Sequence, residues 1–149
     1  MNQAQDPENA SASAMAVELR VLLGRLSRRL REQSHAGDFT GAQKSVLLRL
    51  ERDGPATVTT LAKAEGVRPQ SMGATVAVLE AAGLVAGAAD PADGRQTILS
   101  LTDACREMIR ASRAAREDWL FHAIQTKFAP HELTQLASSI ELLQRLSDD

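Results

Sequence analysis

The sequence has one cysteine, three scattered histidines and no long apolar run. Cys105 has no partner for an internal disulfide, and His35, His122 and His131 do not have the spacing of a metal site. No apolar run approaches the ~20 residues that a transmembrane helix requires. These absences exclude a disulfide framework and a zinc site. They favour a cytoplasmic protein without a metal cofactor or a membrane anchor.

Sequence patterns typical of enzymes are also missing. There is no Gly-rich phosphate-binding loop and no nucleophile elbow, and His131-Glu132 lacks the second histidine of a metalloprotease helix. Residues 1–14 are polar and rich in Ala and Ser, without the basic start and apolar core of a secretory signal. The sequence therefore predicts a protein that is not an enzyme, with residues 1–14 as a disordered polar tail.

Charge is distributed unevenly along the chain, whose formal net charge is −2. Residues 15–54 carry eight Lys or Arg against five Asp or Glu, a net of +3. Residues 57–101 carry three against four, a net of −1. We interpret the arginines between Arg20 and Arg31 as the solvated face of a helix. Net charge alone therefore does not indicate a nucleic-acid partner.

Length and composition are typical of one hydrophobic core. The chain has 149 residues and 44% hydrophobic content, so we predict a single domain over residues 15–149. Thr40 and Gln43 have capping-box spacing at the start of one helix. The predicted fold class is mainly α with a small β wing. It comprises a winged helix-turn-helix at about 40–101 and terminal helices at about 15–35 and 102–147.

Two short helices joined by a tight turn form the centre of the sequence. The first is predicted over 61–65, with Thr59 or Thr60 as its cap and Gly66 just past its end. The second begins at Pro69, which loses no hydrogen bond at the first helical position. Its buried stripe comprises Met72, Val76, Leu79 and Gly83, and its opposite face holds Gln70, Ser71, Ala74 and Thr75. This spacing is typical of a helix-turn-helix, whose second helix enters the major groove.

A β-hairpin is predicted directly after this helix pair. Residues 84–88 and 96–101 flank the turn Asp90-Pro91-Ala92-Asp93-Gly94-Arg95, whose Pro, Asp and Gly favour a chain reversal. Thr57 and Val58 are predicted to add a one-bridge strand to it. The hairpin therefore makes a wing with an arginine at its tip.

Apolar residues recur at helical spacing in both terminal regions of the chain. The long helix predicted over 102–127 would span roughly 38 Å, which is longer than a small domain needs for its own core. We therefore predict a homodimer whose contacts come from six apolar residues of the terminal helices, namely Leu19, Leu22, Leu133, Leu136, Ile140 and Leu143.

Taken in order, these motifs resemble the MarR family of winged helix-turn-helix transcriptional regulators over about Val17 to Leu146. The resemblance rests on Phe39-Thr40-Gly41-Ala42-Gln43, Leu61-Ala62-Lys63-Ala64-Glu65-Gly66-Val67, Leu79-Glu80-Ala81-Ala82-Gly83-Leu84-Val85, the turn from Asp90 to Arg95, and Leu99-Ser100-Leu101-Thr102. Each motif is weak alone, but together, in this order and at these separations, they are specific.

The resemblance implies a homodimeric repressor that binds a pseudo-palindromic operator in double-stranded DNA. Release by a small aromatic or phenolic ligand or by cysteine oxidation is also implied, with a ligand crevice beside the DNA-binding unit whose lining residues are unknown. In the wing, the Asp93 carboxylate would hold the turn and Arg95 would enter the minor groove. The residues implied to lie at the DNA are Arg68, Pro69, Gln70, Ser71, Ala74, Thr75, Asp93 and Arg95.

The chain departs from the family pattern in its positive charges. The family commonly has basic residues where this chain has Ala74, Val78, Gly87 and Gly94, and it commonly has Ser where this chain has Arg68. Because phosphate contacts supply much of protein–DNA affinity, we expect weaker or differently distributed electrostatics. The alternative hypothesis is a winged-helix protein-interaction module with weak or lost DNA binding.

Individual residues leave further alternatives open. Gln70 and Ser71 either read bases or form a solvated first turn that positions the helix. Gln70 would suit adenine, and Ala74 or the Thr75 methyl would suit a thymine methyl. For Cys105, burial in the core is favoured over a redox role.

Overall fold

The fold is mainly α-helical with a small β wing, which confirms the predicted class. The computed structural model describes residues 7–34 and 38–148, which form six helices and one antiparallel hairpin. No helix in these described ranges is long and apolar enough to cross a membrane. The elements are α1 Pro7–Glu32, α2 Gly41–Asp53, α3 Val58–Glu65, α4 Pro69–Ala81, β1 Val85–Ala89, β2 Thr97–Leu101, α5 Asp103–Lys127 and α6 Pro130–Gln144.

The chain divides into two compact units. We call residues 38–112 the winged unit, and residues 7–34 with 113–148 the terminal-helix unit. Helix α5 contributes its first part to the winged unit and the rest to the other. The predicted winged helix-turn-helix at about 40–101 lies within the winged unit.

The winged unit encloses a hydrophobic core. Every buried apolar side chain among the described residues belongs to it. These side chains are Val46, Leu47, Leu50, Leu61, Ala62, Met72, Val76, Leu79, Leu84, Val85, Leu99, Leu101 and Cys105. The predicted stripe of α4 is confirmed at Met72, Val76 and Leu79. Its fourth predicted member, Gly83, is exposed and lies beyond the end of the helix with φ 73°.

Side-chain caps fix where α2 and α3 begin. The Thr40 hydroxyl accepts from the Gln43 N–H at 3.2 Å, and the Gln43 side chain accepts from the Thr40 N–H at 3.0 Å, so the predicted capping box is confirmed. Helix α3 starts earlier than predicted, because its N-cap is Thr57 and not Thr59 or Thr60. The Thr57 hydroxyl accepts a hydrogen bond from the Thr60 N–H at 3.1 Å. Gly66 ends α3 in the left-handed conformation with φ 67°.

The hairpin pairs β1 with β2 in a register that places Gly87 opposite Leu99. It begins one residue later on each strand than predicted. The predicted one-bridge strand is displaced to Ala56, which pairs with Leu99 through N–H···O contacts of 3.0 and 2.8 Å. Thr57 and Val58 are taken up instead as the cap and first residue of α3.

Helix α1 begins at Pro7, which corrects the prediction of a disordered tail over residues 1–14. Proline suits the first helical position, Glu8 carries a favourable charge in the first turn, and alternating alanines favour the helix thereafter. Residues 1–6 of the predicted tail lie outside the described residues, and so does residue 35, at the end of the terminal helix predicted over about 15–35.

Candidate nucleic-acid interface

Helix α4 presents one face to the core of the winged unit and the opposite face to solvent. Gln70, Ser71 and Ala74 are exposed, whereas Thr75 is half-buried. The Thr75 hydroxyl donates to the Ser71 carbonyl at 3.2 Å, so its proton is used within the helix. Within residues 7–34 and 38–148, the Gln70 side chain has no hydrogen-bond partner and is available to a ligand.

The start of α4 is open to an anion. Arg68 occupies the N-cap position with extended backbone angles, but its side chain makes no capping hydrogen bond. Pro69 follows at the first helical position and has no N–H to satisfy. The backbone N–H groups of the first turn and the Arg68 guanidinium therefore favour negative charge at this end of the helix.

Two aspartates shape the tip of the wing. Asp90 accepts from the Ala92 N–H at 2.8 Å, and Asp93 accepts from the Arg95 N–H at 3.1 Å. The Asp90 N–H donates to the Gln96 carbonyl at 2.9 Å, which closes the turn. Asp93 thus holds the backbone at Arg95, as the prediction for this carboxylate requires. Its direct contact with DNA stays a prediction.

Arg95 extends from this turn as an exposed cation. Among the described residues, the Arg95 side chain has no ion pair and no hydrogen bond. The Arg68 side chain likewise has neither. Both guanidinium groups belong to the winged unit, in which α4 packs against β1. The structure therefore places the predicted α4 and wing residues on one folded unit with two unpaired arginines.

A polar network that sequence reasoning missed joins α2 to the end of α3. The Arg49 Nε donates to Glu65 Oε1 at 2.6 Å, and the Ser45 hydroxyl donates to Glu65 Oε2 at 2.7 Å. Hydrogen bonds from Arg49 and Ser45 hold the pKa of Glu65 below its ordinary value of 4.5. Glu65 immediately precedes the turn into α4, so this network fixes the α3 end of the helix-turn-helix. Its members lie 16 and 20 residues apart, and no local spacing indicates the pairing.

Gly87 and Gly94 of the wing, where the family commonly has basic residues, have different surroundings. A Cβ at Gly87 would lie 2.6 Å from Thr97 Cγ2, which is closer than packed carbon atoms allow. A Cβ at Gly94 would meet nothing within 4 Å. Gly87 therefore admits the Thr97 side chain, whereas Gly94 leaves room for a larger residue.

Cys105 is fully buried in the core of the winged unit, as predicted. Removal from water raises the pKa of its thiol. A reactive cysteine requires an accessible thiolate. The predicted burial of Cys105 in the core is therefore confirmed, and its surroundings do not favour a reactive thiolate.

The predicted dimer residues lie in the terminal-helix unit, where apolar side chains remain accessible. Leu22 is 51% exposed and Ile140 is 47% exposed. The other predicted residues are exposed or half-buried, namely Leu19, Leu133, Leu136 and Leu143. Within the described residues, this unit has no fully buried apolar side chain.

Comparison with known proteins identifies the family. A sequence model of the MarR family matches residues 38–96. An HTH-type transcriptional regulator of Mycobacterium bovis is 34% identical over 139 residues, which cover 93% of this chain and 96% of that protein. The chain belongs to the MarR family. It is thus a DNA-binding transcriptional regulator of the winged-helix type.

Solved structures agree with this MarR-family assignment. A Pseudomonas aeruginosa protein described as a transcriptional regulator is 33% identical, with a TM-score of 0.79, and the match covers 93% of this chain and 97% of that one. A mutant of MepR from S. aureus, solved with a bound oligodeoxyribonucleotide, is 18% identical with a TM-score of 0.70 over 90% and 98% of the two chains. At that identity, the MepR likeness concerns the fold alone.

Proposed function

We propose that this MarR-family chain is a cytoplasmic homodimeric repressor that binds a pseudo-palindromic operator through α4 and the wing. The observation that carries the proposal is the solvent-facing side of α4, where Gln70 has no internal partner, together with the unpaired Arg68 and Arg95 of the same unit. In this arrangement α4 lies in the major groove and Arg95 enters the minor groove, where a narrow groove attracts arginine.

Two copies of α4 are needed for an operator of two-fold symmetry. The terminal-helix unit supports a homodimer, because its apolar stripes are accessible and form no closed core among the described residues. Burial of those stripes against a second copy would remove apolar surface from water. The two recognition helices would then meet major grooves about 34 Å apart.

Release by a small aromatic or phenolic effector completes the proposal. This step rests on the family resemblance. Release by oxidation of Cys105 is not included, because the thiol is buried and its pKa is raised. Effector release is therefore proposed to act through ligand binding alone.

Selection of bound fragments from random duplex DNA tests this function directly. We expect an enriched pseudo-palindrome whose affinity falls steeply as salt rises, because bound cations displace counterions from phosphates. Two enriched half-sites one helical turn apart would support the dimer. Failure to enrich any sequence would overturn the proposed function.

Replacement of Arg95 with Ala tests the wing. We expect weaker binding to all selected duplexes and a shallower salt dependence, because one cationic contact is lost whatever the sequence. Arg110→Ala is the matched control, since it also removes one exposed arginine, but one that is paired with Glu107 at 2.5 Å. Equal affinities for the Arg95 variant and the unsubstituted protein would remove the wing from the proposed interface.

A second candidate function is a winged-helix module that binds another protein. The net charge of −1 over residues 57–101 and the lack of basic residues on α4 favour this alternative. Such a module would bind duplexes weakly and without sequence preference. The selection and salt experiment therefore separates the two functions.

A further inference from the structure

We propose that α4 specifies A·T-rich half-sites mainly by apolar contact between Ala74 and Val78 and the C5-methyl groups of thymines, with Gln70 pairing to an adenine. This inference rests on the proposed function, since it names the DNA that the same helix recognises. Ala74 and Val78 follow Gln70 at successive intervals of four residues, so the three side chains form one row along the helix.

The row changes from polar to apolar after its first member. Ala74 is exposed, and Val78 is 53% exposed although it is a branched apolar residue on a helix with a buried stripe of its own. Ala81 extends the apolar surface to the last turn. Beyond Gln70, this row therefore offers a base edge no hydrogen-bond donor.

This composition selects among the four base pairs. Guanine is most commonly read by an arginine or lysine that bonds to O6 and N7, and α4 contains no basic residue. In the major groove, the distinctive apolar group is the C5-methyl of thymine. Adenine offers N6 and N7 to a glutamine, which suits Gln70. The helix therefore matches A·T pairs and has no cationic side chain for guanine.

Small side chains also bring the helix closer to the bases. The major groove is about 12 Å wide, and a helix with its side chains is about 10–12 Å across. With alanine at position 74, α4 has less bulk on this face than a helix that carries Arg or Lys there. A closer approach places Val78, in the third turn, within reach of a base edge.

Two further observations assign the polar tasks to other residues. Arg68 and Arg95 are the unpaired cations of the proposed interface. We therefore assign the phosphate contact to Arg68 and the minor-groove contact to Arg95. Thr75 is half-buried, so it offers a base edge less apolar surface than the exposed Ala74 and Val78, and its hydroxyl proton is already donated to the Ser71 carbonyl. Thymine contact is therefore assigned to Ala74 and Val78 rather than to the Thr75 methyl.

Replacement of single thymines by deoxyuridine in the selected duplex tests the proposal. Uracil keeps the base pair and removes only the methyl group. We expect one or two thymines in each half-site at which this change weakens binding about fourfold, the effect of exposing one buried methyl. Uracil at thymines outside the half-sites provides the control and should leave affinity unchanged.

Val78→Ala identifies the protein side of the contact. At the thymine that Val78 covers, the variant should bind the thymine and uracil duplexes with nearly equal affinity, whereas the unsubstituted protein distinguishes them. Val67→Ala makes the same substitution at another exposed valine, in the turn before α4, and should leave the thymine-to-uracil ratio unchanged. Circular dichroism confirms that both variants are folded.

The possible outcomes separate this proposal from the function on which it rests. If selection enriches no duplex, the proposed function fails. If a duplex is enriched but no thymine is sensitive to uracil, or Val78→Ala leaves every uracil effect intact, the inference fails and the proposed function stands. A half-site rich in guanine contacts would also overturn it.

Discussion

The two units of this MarR-family chain differ in how far their apolar side chains are buried. The winged unit buries leucines and valines completely, whereas every apolar side chain described in the terminal-helix unit retains contact with solvent. Burial makes the winged unit a rigid support for α4 and the hairpin, because a closed core depends on nothing outside itself. The proposed homodimer requires accessible apolar stripes, and the other unit has them. In the proposed function, DNA recognition and assembly therefore belong to different parts of one chain.

The same substitution made in each unit should have very different effects on stability. Leu79 is 0% exposed in the winged unit, and Leu142 is 56% exposed on α6. Leu79→Ala should lower the free energy of unfolding by about 2–5 kcal/mol, because it leaves a cavity in a packed core. Leu142→Ala should change it by less than ~0.5 kcal/mol. Chemical denaturation at one fixed protein concentration measures both.

Similar losses for the two variants would contradict the comparison, since they would show that Leu142 is as fully buried as Leu79 in the folded protein. The fixed concentration matters because association of folded copies contributes to measured stability.

Charge on the apolar stripe of α6 tests the proposed assembly. Ile140→Glu should convert the homodimer to monomers and abolish operator binding, because a buried carboxylate without a partner is costly and one half-site binds weakly. Ser138→Glu adds the same charge on another face of the helix, where the serine hydroxyl bonds to the Thr134 carbonyl at 3.1 Å. Sedimentation at several concentrations measures the assembly state. A dimer that persists in the Ile140 variant would place the interface elsewhere.

Local patterns predicted most of the fold. The capping box at Thr40, the proline start of α4, the stripe of α4 and the turn at Asp90 each depend on residues a few positions apart, and each is found in the structure. The errors lie at the ends of elements and include the one-bridge strand, which is at Ala56 rather than at Thr57 and Val58. Thr57 caps α3, but Thr59 and Thr60 are also threonines, and the sequence alone does not show which of the three is the cap. Pro7 starts a helix within a segment whose polar composition predicted a disordered tail.

The candidate site was predictable only in part. The face of α4 follows from its period, and the arginine of the wing follows from its turn. The support beneath them does not follow, because Ser45, Arg49 and Glu65 meet only when α2 and α3 pack together. A charged residue near a helix end has many possible partners along the sequence, and tertiary structure selects one.

The smallest expected effect concerns this support. Glu65→Gln should reduce stability by about 1–2 kcal/mol at neutral pH, because it removes the charge from hydrogen bonds to Arg49 and Ser45. The lowered pKa of Glu65 gives the sign of the pH dependence. The folded state holds its proton less tightly than the unfolded state, so this stabilisation is present above the ordinary value of 4.5 and is lost as pH falls below it.

The measurement is the free energy of unfolding of both proteins between neutral pH and pH 3, with Glu80→Gln as the exposed control on α4. The difference between the Glu65 variant and the unsubstituted protein should shrink as the pH falls, whereas Glu80→Gln should have little effect at any pH. A difference that stays constant with pH would mean that Glu65 contributes by shape rather than by charge. In that case the apolar core alone would hold α4 in the winged unit, whereas the terminal-helix unit has no such core among its described residues.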